Sequence, residues 1–120
     1  MELTYFCQRT LIHSTPHGSS TSYLKTSEAG GYRGVSRWKN ANLFESLTEA
    51  QEATALFIEQ SKGLIETDTF KALGMRKLVF HLVCVKGSSF AAAQAEILST
   101  TFINISFDEK GAVSFDTVVS

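Results

Sequence analysis

At 120 residues and a formal net charge of −1, the chain is sized for one domain with its own core, and it carries no overall charge to draw it to nucleic acid or a membrane. Apolar residues make up 43% and charged residues 19%, an ordinary globular balance, and a single proline argues against a long disordered tail. Glu2 and Arg9 interrupt any leader-like apolar run, and the longest apolar run, 78–85, is too short to span a bilayer, so a cytoplasmic protein is expected, with Cys7 and Cys84 reduced.

Residues 3–12 alternate as a strand, with Leu3, Tyr5, Cys7 and Leu11 on one face and Phe6 and Ile12 on the other. The Ser-, Thr-, Pro- and Gly-rich stretch 13–22 predicts a loop. Strands follow over 23–26 and 32–37, joined as a hairpin by Glu28-Ala29-Gly30-Gly31. Gly34 marks a bulge or a close backbone approach.

The stretch from Trp38 to Gly63 organises the rest. Ser46 is a good N-cap, and Glu49 completes a capping box. Ala50, Ala53, Thr54, Phe57 and Ser61 recur at helical spacing, and Leu47, Leu56 and Leu64 widen that stripe. A helix is predicted over 46–62, ended by Gly63. Glu49 and Glu52 lie where the helix dipole favours acids, and Lys62 lies where it favours a cation.

A brief helical turn is expected over 67–74. Residues 76–86 give the strongest strand signal. Leu78, Phe80, Leu82 and Cys84 line one face and Val79, Val83 and Val85 the other, which places this strand in the middle of a sheet. Gly87-Ser88-Ser89 breaks it, and the alanine-rich run 89–98 predicts a second, short helix. Strands over 100–107 and 112–119 form a terminal hairpin about Asp108-Glu109-Lys110-Gly111, with Ile103, Ile105 and Phe107 on one face of the first and Val113, Phe115 and Val119 facing inward from the second.

The expectation is a single α+β domain over 1–120: a mainly antiparallel sheet of about five or six strands, the main helix on one face, and the short helix over 89–98. Its core is expected to contain Phe44, Ala50, Ala53, Leu56, Phe57, Leu78, Phe80, Leu82, Ile103, Ile105 and Phe115.

The run Tyr23-Leu24-Lys25, a glycine turn, a short strand, then Trp38…Ala41…Phe44-x-Ser46-x-x-Glu49-Ala50 resembles a pattern common among small phage-encoded proteins of unassigned function. The resemblance covers residues 22–58. It implies a protein of the anti-CRISPR or wider anti-defence kind, which binds and inhibits host machinery.

Two surfaces could carry binding. Tyr32, Arg33, Arg37, Trp38 and Lys39 combine aromatic rings with cations, the chemistry of single-stranded nucleic-acid grips and equally of protein hot spots. Glu45, Glu49, Glu52, Glu59 and Glu66 recur along one side of the main helix and could meet a basic groove on a partner or imitate a phosphate backbone. Either set also describes an ordinary solvated surface.

Histidine and cysteine offer less. His13 and His17 flank Pro16 in a loop, which denies them the helical spacing of a metal pair. Cys7 lies in a buried-looking strand, and nothing nearby activates it. His81 and Cys84 point to opposite strand faces. No metal, cofactor or catalytic residue is expected. The functional expectation is a non-enzymatic inhibitor that occludes a host protein complex in the host cytoplasm. The alternative is a nucleic-acid-binding accessory protein using the 32–39 patch. Free strand edges in the terminal hairpin also allow a homodimer by strand pairing.

Overall fold

The computed structural model of the chain describes residues 3–13, 18–67, 74–86 and 95–120. Six strands occur in it: β1 (Leu3–His13), β2 (Ser19–Thr26), β3 (Tyr32–Val35), β4 (Met75–Lys86), β5 (Ala95–Phe107) and β6 (Val113–Val119). They form one sheet in the order β3-β2-β1-β4-β5-β6, with every neighbouring pair antiparallel. A short 3-10 turn, Trp38–Asn40, and one helix, α1 (Leu47–Ile65), connect β3 to β4. The architecture is α+β, and no helix among the described residues is long and apolar enough to cross a membrane.

The two-sided apolar pattern of 76–86 has the consequence expected of it. β4 lies inside the sheet between β1 and β5, and its residues Leu78 to Phe80 and Leu82 to Val85 are buried. On one face, Leu78 and Phe80 join Cys7, Leu24 and Ile103 beneath Ala53, Phe57 and Ile65 of α1. Phe57 and Phe80 meet edge to face, with ring centroids 5.8 Å apart. On the other face, Phe6, Val83 and Val85 cluster with Ala41, and Tyr23 packs against them.

Helix α1 starts where the sequence places it. Ser46 is extended, and its hydroxyl accepts the Glu49 backbone N–H at 3.4 Å. Its second half reaches both edges of the sheet. Gln60 Oε1 accepts the Tyr32 N–H of β3 at 2.8 Å, and two residues later Lys62 Nζ stands 5.7 Å from the Phe115 ring centroid of β6. The sheet therefore curls around this half of the helix.

One cation lies within the helix–sheet contact. Arg9 of β1 donates from Nε to Ser22 Oγ of β2 (3.2 Å) and from Nη1 to Ser61 Oγ of α1 (3.0 Å), and its guanidinium lies 4.7 Å from the Phe57 ring centroid. Gly34 of β3 is a close approach to this cluster. A Cβ there would stand 2.5 Å from Arg9 Nη2 and 2.7 Å from Ser22 Oγ.

Several expectations need correction. Among the described residues there is no second helix: residues 89–94 of the expected one lie outside them, and Ala95–Leu98 belong to β5. There Val85 pairs with Ala95 and Val83 with Ile97, so ladder bonds from β4 outweigh alanine's weak helical preference. The loop over 13–22 is shorter than predicted, because Ser19 to Ser22 pair with β1. The third strand stops at Val35. Gly63 does not end α1, which continues to Ile65. Burial of Ile65, 1% exposed, outweighs a helical-glycine cost of about 1 kcal/mol. Leu56 is not core: one residue on from Ala55 and one before Phe57, it turns away from the sheet and is 57% exposed. Leu47 and Leu64 are also exposed, and Val119, on the edge strand, faces only Thr101 and is largely exposed. Phe44, Ile105 and Phe115 are half-buried against the core. The turn expected over 67–74 lies outside the described residues except at its ends.

These positions make a sharp stability contrast. Phe57→Ala is expected to cost about 3–5 kcal/mol, while its neighbour Leu56→Ala stays within about 0.5 kcal/mol of wild type. Urea denaturation measures both, and equal losses would contradict the assigned helix face.

Candidate binding surfaces

The helix presents a stripe to solvent. Glu49, Glu52, Leu56, Glu59 and Glu66 are all exposed, and their spacing of three, four, three and seven residues keeps them on one side of α1. The stripe runs about 26 Å at the helical rise. Glu45 is exposed just before the cap. Among the described residues the only ion pair is Glu59 with Lys62, at 3.4 Å; the other acids of the stripe stand without a cation. Leu56 gives it an apolar centre. Leu56 widens the apolar set of the helix, but its 100° offset from Phe57 turns it away from the core.

The aromatic and basic patch does not assemble as predicted. Tyr32 packs against the core on the helix side, and strand alternation then sends Arg33 to the opposite face. Arg33 is exposed and lies directly across from Lys25. Arg37 is exposed and Trp38 half-buried; both border a shallow depression with Tyr23 and Ser36. Lys39 contributes backbone to the 3-10 turn. The group that does come together on the back of the sheet is thus Tyr23, Lys25, Arg33, Arg37 and Trp38. Period-two alternation in 32–35 already separates Tyr32 from Arg33. The pairing of β2 with β3, which brings Lys25 to Arg33, is what adds Lys25.

These two surfaces lie on opposite sides of the molecule with opposite charge. Acids line the helix. Lys25, Arg33 and Lys77, the last stacked 4.6 Å over the Phe102 ring centroid, project from the other face of the sheet, along with Asp116 of β6.

The cysteines and histidines do not come together in one site among the described residues. Cys7 and Cys84 are free and buried. Burial pushes the Cys7 thiol up to about 11, against smaller downward pulls from a Thr54 hydrogen bond and the Arg9 charge. Such a thiol is not an activated nucleophile. Burial also lowers the pKa of Arg9. His81 Nδ1 shares a hydrogen bond with Thr100 Oγ1 at 3.1 Å. His13 is half-buried beside Arg76 and Lys77, and His17 lies outside the described residues. No group of three or more His, Cys, Asp or Glu among the described residues could hold a metal ion.

No protein-family model, curated protein sequence or solved structure matches this chain. Function is therefore read from its own two surfaces.

The Cys7 environment predicts a pH effect. A folded-state value raised above the unfolded one gives stability that is complete below about pH 9 and is lost as pH rises toward 11. Cys7→Ala should remove that part of the alkaline loss, about 2–3 kcal/mol at most. Urea titrations of both proteins between these pH values test it, and parallel pH curves would refute the assignment.

Proposed function

We propose that this protein is a small non-enzymatic binding protein that docks the solvent stripe of α1 on a basic surface of a host protein complex and inhibits it by occlusion. The observation that carries this reading is the stripe itself: acids flanking an exposed leucine on a helix whose other side is fixed in the core. A rigid helix presenting an apolar centre and a charged surround suits docking in a groove. The resemblance over residues 22–58 to small phage-encoded proteins of unassigned function, which implies an anti-defence role, supports this reading, and the action would then fall in the host cytoplasm.

A second reading has one specific observation in its favour. Lys25 and Arg33 face each other across β2 and β3, a like-charge pair that is destabilising unless an anion neutralises it. With Tyr23 and Trp38 beside them, they would suit a nucleic-acid strand lying on the back of the sheet.

A tagged protein drawn through nuclease-treated host lysate separates the two. Wild type is expected to retain a stoichiometric protein complex. Glu49→Lys/Glu52→Lys/Glu59→Lys should weaken retention at least tenfold, on the order of 1.4 kcal/mol or more, while Arg33→Ala/Arg37→Ala leaves it unchanged. Partners that disappear with nuclease, or with the arginine changes alone, would overturn the helix reading in favour of the sheet.

A further inference from the structure

We infer that β6 is an association surface for a second copy of this chain, pairing antiparallel with its own β6 across a two-fold axis at Thr117. The observation is an edge strand whose outward backbone groups meet no partner among the described residues. β6 is the outermost strand. Thr100 and Ser120 exchange both backbone hydrogen bonds, at 3.1 and 2.9 Å. Antiparallel alternation then turns the even-numbered residues of β6 toward β5, and Val113, Phe115, Thr117 and Val119 direct their N–H and C=O groups to the free edge.

Natural edges are blunted by shortness, bulges, lysine or proline. The opposite edge, β3, has four residues and carries the exposed Arg33. β6 has seven residues, a register unbroken from Val113 to Val119, no lysine and no proline. Its one charge is Asp116. Ser114, Asp116, Thr117, Val118 and Val119 are all exposed, so a second strand can reach the edge. The two valines at its end are 49% and 67% exposed.

Self-pairing is favoured over a foreign strand because β6 is complementary to itself in one register. Outward residues must meet outward residues, so a two-fold axis falls on Phe115, Asp116 or Thr117. An axis at Asp116 sets the two Asp116 carboxylates face to face, which like charges oppose. An axis at Phe115 sends Val119 past the partner strand to the turn at Gly111. An axis at Thr117 places Val119 opposite Phe115 twice and Val118 opposite Asp116, covering both exposed valines without a like-charge pair. Such an isologous contact closes as a dimer. A pair of strands buries less than a standard interface of about 1,200 Å² or more, so association is weak and depends on concentration.

Sedimentation equilibrium up to about 0.5 mM protein is expected to show wild type passing from monomer to dimer. Thr117→Pro should remain monomeric and fold normally, because the Thr117 N–H bonds nothing within its own sheet and edge strands tolerate proline. Register is read by cross-linking, with the buried Cys7 and Cys84 left in place. Thr117→Cys should form a disulfide dimer on mild oxidation, since its two copies would lie about 5.5 Å apart. Val119→Cys should not, its copies being about 14 Å apart. A wild type that is monomeric throughout, a dimer that survives Thr117→Pro, or cross-linking at Val119→Cys as fast as at Thr117→Cys would each overturn the proposal.

Discussion

A guanidinium lies where a small α+β domain would usually place an apolar side chain, and the arrangement of helix on sheet depends on it. Arg9 ties β1 to β2 through Ser22 and to α1 through Ser61 and the Phe57 ring. Ser61 in turn donates to the Phe57 carbonyl at 2.7 Å, so the cation's partner is itself held by the helix. Gly34 of β3 leaves the space the guanidinium fills. Desolvation opposes the charge and lowers the Arg9 pKa. Hydroxyl acceptors and an aromatic face offset it, and the arginine stem covers apolar surface. Polar partners in such a place specify one helix position, whereas an apolar contact alone would tolerate several.

That fixed seat gives the surfaces their character. Because Phe57, Ser61 and Ile65 all face inward, helical geometry leaves Glu49, Glu52, Leu56 and Glu59 outward on a platform that cannot roll. Gln60, reaching the Tyr32 N–H, fixes the same turn to the sheet edge. The sheet's other face owes its cations to the same alternation that buries Leu24 and turns Tyr32 toward the core. A single packing choice thus places most of the acids of α1 and the cations of β2 and β3 on opposite sides.

Much of this was legible in the residues, and the misses share a cause. The Ser46 cap, the Phe57 stripe and the two-sided apolar pattern of 78–85 are local signals, and each led to the correct element. Strand Ala95–Leu98 was not legible, because it is held by pairing with Val83 and Val85, and an alanine run viewed alone prefers helix. Gly63 read as a stop because the pull on Ile65 comes from the sheet. The full burial of Leu24 has no local signal in so short a strand, because it depends on packing with α1 residues distant in sequence. At the surfaces, the acidic stripe was recoverable from helical spacing, while the basic group needed the β2–β3 pairing to exchange Tyr32 for Tyr23 and Lys25.

The central claim is that Arg9 and Ser61 act together to seat the helix. A double-mutant cycle with Arg9→Ala and Ser61→Ala, followed by urea denaturation, tests it most directly. The account predicts a coupling energy of about 1.5–3 kcal/mol, as for a hydrogen bond from a charged donor in a shielded site. Losses that add to within about 0.3 kcal/mol would show two independent contacts and contradict it.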